Sequence, residues 1–153
     1  LHPAPNGIIA LIDNNNEDLF VINDDVFTDK NIDQSIILQD KAKKIIWSKN
    51  EKKILYYNDF EITVFDTRTK EKNLITRYGE IIDQATWYND EHILYQINNT
   101  VKIIEITHHE HKNDTSLSQL PEIKKVTIDN NGNNIYIKGS TGTQQGIYKL
   151  EIQ

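Results

Sequence analysis

The 153 residues contain no cysteine and no methionine. The first absence excludes disulfides, thiolate nucleophiles and cysteine-bound metals. The second leads us to expect a longer protein, with sequence before Leu1. The opening "LHPAPNG" has neither a basic nor an apolar region, so it does not read as a signal peptide. Alanine is scarce, at four residues, which removes the best helix former. No apolar run approaches the roughly 20 residues that a membrane-spanning helix needs. Basic residues are outnumbered, 17 against 23 acidic, for a net charge of -6. The basic face that nucleic-acid binding requires is therefore not expected. The six glycines form no G-x-G-x-x-G or Walker-type run, and no G-x-S-x-G elbow occurs. Neither a phosphate loop nor a serine-hydrolase nucleophile is expected within these residues.

What is present is β-forming. Apolar positions are dominated by Ile with Val, Tyr, Phe and Trp, in short runs bounded by Asn, Asp, Gly and Lys clusters. That is the pattern of strands separated by turns. In "IIW" and "ILYY" (Ile45–Trp47, Ile54–Tyr57) both strand faces are apolar, as in a sheet packed between two neighbours. The runs also repeat. Trp47 and Trp87 each close a first strand, and apolar pairs follow at Ile54-Leu55 and Ile93-Leu94. Third runs end in Phe65-Asp66 and Ile104-Glu105. Projection places Ile12 and Ile128 in the Trp slot, with spacings of 35, 40 and 41 residues along Ile12, Trp47, Trp87 and Ile128.

About four repeats of about 40 residues match the period of four-stranded antiparallel β-propeller blades. The expected fold is all-β, with repeats at approximately 7–40, 41–80, 81–121 and 122–153. Tight turns are expected between second and third strands at Asn58-Asp59 and Asn98-Asn99, and a longer Gly-rich loop in "KGSTGTQQG". Fourth strands are read at "SIILQ", "NLITR" and "SLSQL", with none in the last repeat. Either the segment around Gly7 or sequence outside these residues would supply the missing strand, so part of a larger propeller is expected.

"IIWSKNEKKILYYNDFEITVFDTRTKEKNLIT" resembles WD40-like repeats of the TolB type, which carry a Trp-Ser-Pro-Asp-Gly turn, a "kkIlY" strand and an "I-x-v-x-D" strand. Trp47-Ser48, Lys52–Tyr56 and Ile62–Asp66 match, whereas Lys49, Asn50 and Glu51 replace Pro-Asp-Gly. Trp87 with "HILYQ" is a second copy and "NNGNNIYIKG" a third. The closing "GIYKLEI" is similar to the propeller end of bacterial surface proteins that carry PEGA-type domains and an N-terminal membrane anchor. The resemblance implies binding, in an extracytoplasmic or cell-surface bacterial setting, without naming a ligand.

"EITHHEHKND" offers His108, His109, Glu110, His111 and Asp114, but on an extended strand only His109 and His111 share a side. A solvated loop is the simpler reading, so no metal and no cofactor are expected. Were a metal held, His109 and His111 would be its ligands. Glu80, Asp83 and Glu122 are the carboxylates nearest expected loop ends, and nothing in the sequence marks them as catalytic. The sequons at Asn98 and Asn113 are those expected by chance in an Asn-rich chain.

The functional expectation is a non-catalytic binding or scaffold module, presenting loops to a protein or glycan partner. Its candidate loop residues are Asn58, Asp59, Gly79, Glu80, Asn98, Asn99, Ser140, Thr141 and Gly142. Gly79-Glu80 and Leu120-Pro121 lead from one repeat into the next and should share the face of the second-to-third-strand turns. No direct membrane insertion is expected, although a preceding anchor could tether the chain. The alternative is the gating or substrate-access propeller of a larger enzyme such as a serine peptidase.

Overall fold

The structure is a computed structural model that describes residues 2, 3, 7–23, 35–107, 114–129 and 131–151. Among them are fifteen strands and no helix, so no helix is long and apolar enough to cross a membrane. The chain forms two compact units, Leu1–Arg77 and Tyr78–Gln153.

The first unit holds two antiparallel four-stranded sheets. One contains β1 (His2–Pro3), β2 (Ile8–Asp13), β3 (Asp18–Asn23) and β4 (Ile36–Lys41) in that order. The other contains β5 (Lys44–Trp47), β6 (Lys53–Tyr57), β7 (Glu61–Asp66) and β8 (Glu71–Arg77). The second unit repeats the plan with β9 (Ile82–Trp87), β10 (His92–Ile97), β11 (Thr100–Glu105) and β12 (Asp114–Gln119). Its other sheet has three strands, β13 (Glu122–Ile128), β14 (Asn134–Thr141) and β15 (Gln144–Glu151).

Burial follows the doubly apolar runs. In β6, Ile54, Leu55, Tyr56 and Tyr57 are all buried, as are Ile93 to Ile97 in β10. In the first unit Ala10, Leu19 and Val21 of one sheet pack with Ile45, Ile54 and Phe65 of the next, and Trp47 lies partly buried against them. In the second unit Leu94 and Val101 meet Val126, Ile135 and Ile137. Each fully buried Leu, Ile, Val or Phe among them contributes about 1.5–3 kcal/mol by leaving water.

Two sequence expectations are corrected. Asp18 pairs with Lys41, whereas Lys44 pairs with Tyr57 and Trp47 with Ile54. Lys41 and Lys44 are three residues apart in the chain, so the β2–β3 turn lies at the sheet end opposite Trp47. Ile12 therefore does not occupy the Trp slot, and β2 sits second in its sheet, between β1 and β3. Turn composition alone does not say at which end of a sheet a turn falls. The second correction concerns "KGSTGTQQG". Thr141 pairs with Gln144, which leaves the two-residue turn Gly142-Thr143 with Gly142 at φ +60°, the type II′ pattern. The expected longer loop is strand, because Gly139 and Gly146 lie opposite each other in the ladder. A Cβ at Gly139 would collide with the Glu122 carbonyl oxygen, so glycine there serves close backbone approach.

Candidate functional site

In the first unit, the turns at Asn14–Glu17, Ala42-Lys43 and Asn58–Phe60 share one sheet end. Asn58 builds its own turn: its Oδ1 accepts the N–H groups of Phe60 and Glu61, both at 2.9 Å. Asp59 forms an ion pair with Lys43, and Glu61 with Arg77. The Lys43 ammonium is held above its ordinary value by its hydrogen bond to Asp59. Lys41 donates to the Asn16 carbonyl at 2.8 Å and pairs with Asp18 at 2.7 Å. Between these turns lies a cavity of about 420 Å³, lined by Asn16, Glu17, Lys41 and the Asn58–Glu61 turn. Phe60 stands beside it, 47% exposed. With Ile12 read in the Trp slot, the turn in "DNNNED" is expected between first and second strands; the structure places it between β2 and β3, at this sheet end.

In the second unit, Ile82 pairs with Ile97, so Gly79-Glu80 reach the end that carries Asn98-Asn99. These two asparagines have φ of +47° and +58°, the type I′ turn that Asn tolerates. The Asn99 side chain is occupied. Its Nδ2 donates to the Pro121 carbonyl at 3.1 Å, and its Oδ1 accepts from Ile123 N at 3.0 Å. Gln96 Nε2 donates to the Ile123 carbonyl at 3.1 Å and to Asp83 Oδ2 at 3.1 Å. Gln84 grips Val126 twice: its Nε2 donates to the Val126 carbonyl at 3.0 Å and its Oε1 accepts from the Val126 N–H at 3.3 Å. Three side-chain amides thus satisfy backbone groups along β13 and join its sheet to that of β9–β12. Asn98, Gly79 and Glu80 remain exposed on this face.

Ser140, by contrast, is buried and donates to Glu122 Oε2 at 3.1 Å. Thr141 Oγ1 lies 3.0 Å from Tyr148 Oη. Of the residues expected between β14 and β15, Gly142 stands at the turn and Ser140 and Thr141 belong to β14.

Two ionisable clusters were not foreseen, although the recurring Tyr56 and Tyr95 of the repeat were their signal. Tyr56 Oη donates to Asp40 Oδ2 at 2.6 Å, and Lys72 pairs with the same oxygen at 2.6 Å. Burial pushes the Asp40 carboxyl up, but Lys72, Tyr56 and the Lys41 N–H outweigh it and hold it below its ordinary value. Tyr95 Oη lies 2.6 Å from Tyr78 Oη, which donates to Asp114 Oδ2 at 2.5 Å. Lys102 pairs with Asp114 at 2.9 Å, with its Nζ 5.5 Å from the Tyr78 ring centroid. Burial raises Tyr95, and hydrogen bonding to Tyr78 raises it further. Every polar end in these clusters has a partner, which is the arrangement of a structural network. Asp114 is thus engaged with Lys102 and Tyr78, while His109 and His111 lie outside the described residues. Among the described residues no group of three or more His, Cys, Asp or Glu could hold a metal.

No known family model matches this chain, and no curated protein matches it in sequence. Solved structures do match. A chain of the mitotic checkpoint complex is similar with TM-score 0.63 and 10% identity, over 94% of this chain and 44% of its own. A chain of the yeast heterotrimeric Nup82–Nup159–Nup116 nucleoporin complex gives 0.63 and 16%, over 97% and 40%. The dihydro-heme d1 dehydrogenase NirN, in complex with DHE, gives 0.60 and 8%, over 99% and 36%. These are β-propeller, WD40-like folds, and likeness at such identity shows the fold alone. The chain spans less than half the length of each. Its open antiparallel sheets fit a partial β-propeller.

Proposed function

We propose that this chain is a non-catalytic binding module whose turn face engages a protein partner. The observation that carries the proposal is Phe60, 47% exposed beside a cavity lined by charged and amide side chains. An aromatic on a turn braced by Asn58 is a low-entropy anchor, and such anchors dominate protein interfaces. Two of the similar structures are, by name, multi-protein complexes. The finer reading is a TolB-type propeller in a bacterial extracytoplasmic protein, tethered by a preceding anchor. It is supported by Trp47-Ser48, Lys52–Tyr56 and Ile62–Asp66. A glycan in place of a protein would use the same ring and the neighbouring Asn16 and Asn58.

The alternative, an access domain of a larger enzyme such as a serine peptidase, draws on the dehydrogenase among the similar structures. The discriminating experiment compares crosslinked partners of the wild-type protein with those of Phe60→Ser and Asp59→Lys, using Lys49→Glu at the opposite sheet end as control. A protein captured by wild type and by the control, and lost with both turn variants, supports the proposal. Identical recovery by all four sinks it, as does hydrolase turnover by the full-length protein.

A further inference from the structure

Three carboxylates and one ammonium line the cavity beside Phe60: those of Glu17, Asp59 and Glu61, and that of Lys41. The fold already occupies the ammonium, which pairs with Asp18 at 2.7 Å and donates to the Asn16 carbonyl at 2.8 Å. Asp59 and Glu61 have partners in Lys43 and Arg77. Counting these groups and Asp13 of the same turn, five carboxylates meet three cations. Asp13 accepts from Asn15 N at 2.9 Å and from Asn16 Nδ2 at 3.3 Å. Glu17 is left over. Among the described residues its carboxylate has no ion pair and no hydrogen bond.

Glu17 is also fixed in place. Its N–H donates to the Asp13 carbonyl at 2.7 Å, and its own carbonyl accepts from Ala42 N at 2.8 Å. Its φ is +59°. The same turn recurs after β7, where Lys70 N donates to the Asp66 carbonyl at 2.8 Å and Lys70 has φ +60°. A lysine stands there, so the turn itself does not require a carboxylate. An unpaired carboxylate on a pinned backbone, beside a half-exposed ring, is preorganised to receive a cation. The second unit holds such an arrangement filled from within. Lys102 Nζ lies 5.5 Å from the Tyr78 ring centroid and 2.9 Å from the Asp114 carboxylate.

We propose that the Phe60 cavity receives an arginine or lysine side chain from a basic segment of the partner protein. The inference rests on the turn-face reading above and adds the partner's chemistry. The incoming charge lies over the face of the Phe60 ring and beside Glu17. Asp59 and Glu61 add negative charge, because their own ion pairs are solvent-exposed and weak. An acidic segment would bring like charge to a site already short of cations.

The test titrates the protein by calorimetry with a synthetic peptide of alternating Arg and Ser, and with its Glu-and-Ser counterpart. The basic peptide is expected to bind and to weaken as salt rises, and the acidic one not to bind. Glu17→Gln is expected to weaken the basic peptide about two- to fivefold, the effect of one exposed ion pair. Glu71→Gln makes the same charge change in the equivalent turn at the opposite sheet end, and is expected to change nothing. Phe60→Leu keeps an apolar side chain but removes the ring face, and is expected to cost about two- to fivefold. Melting temperatures check that the variants are folded. Absence of binding by the basic peptide overturns the inference, as does equal binding of both peptides. Equal loss from Glu17→Gln and Glu71→Gln overturns it too. A partner protein captured by wild type, lost with Phe60→Ser and fully kept by Glu17→Gln overturns this inference while the turn-face reading stands. Capture undiminished by Phe60→Ser overturns both.

Discussion

Tyr56 on β6 and Asp40 on β4 meet at 2.6 Å, tying a buried ring of one sheet to a carboxylate on the next. Lys72 reaches the same carboxylate from β8. The network takes its strength from a charged acceptor whose other contacts remain when the hydroxyl is removed. Tyr56→Phe is therefore expected to cost about 1.5 kcal/mol in urea unfolding, the lower end of the range for a hydrogen bond to a charge.

Acid should weaken both units through related groups. Asp40 and Asp114 are each held below the ordinary carboxylate value by hydrogen bonds from lysine and tyrosine. A lowered folded pKa means stability that is complete above the unfolded value near 3.9 and lost as pH falls through the folded one. Asp40→Asn and Asp114→Asn should each lower stability at pH 7 and flatten its dependence between about pH 5 and 2. Denaturant titrations across that window measure the effect, and unchanged slopes would refute it.

At the alkaline end the sign reverses. Burial, with the hydrogen bonds to Asp40 and Tyr78, raises Tyr56 and Tyr95 far above the ordinary tyrosine range. Their stabilisation is complete below pH of about 10 and declines above it. Absorbance titration should show two of the seven tyrosines ionising only together with loss of the β circular-dichroism signal. Ionisation of all seven before that loss would contradict the assignment.

Gln84 carries the same logic without charge. Replacing it by Leu leaves both the N–H and the carbonyl of Val126 without the partners they have at 3.3 and 3.0 Å. The expected cost is about 2–3 kcal/mol, since unsatisfied buried backbone groups are expensive. Gln84→Glu, which keeps the acceptor, should recover part of it.

The two glycines of the last hairpin should respond differently. Gly139→Ala forces a Cβ into the Glu122 carbonyl and should cost about 2–3 kcal/mol through overpacking. Gly142 meets no such obstacle and needs only its positive φ, so Gly142→Asn should cost less than about 1 kcal/mol. Thermal melting of the two variants side by side decides the point.

How far the sequence could be read follows from which forces are local. Strand content, the roughly 40-residue repeat and the doubly buried runs around Tyr56 and Tyr95 were legible, because apolar periodicity and turn composition act within a few residues. The Asn58-Asp59 and Asn98-Asn99 turns were legible for the same reason. Which sheet end the Asn14–Glu17 turn occupies was decided by the pairing of Asp18 with Lys41, a partner more than twenty residues away. Gly139 and Gly146 read as loop residues until the ladder set them opposite each other. Asn99 read as a ligand-facing residue until its amide met Pro121 and Ile123 of the next sheet. Local pattern determined the strands; only tertiary packing decided which polar side chains those strands consume and which they leave to a partner, because a hydrogen bond is settled by whatever the fold brings within reach.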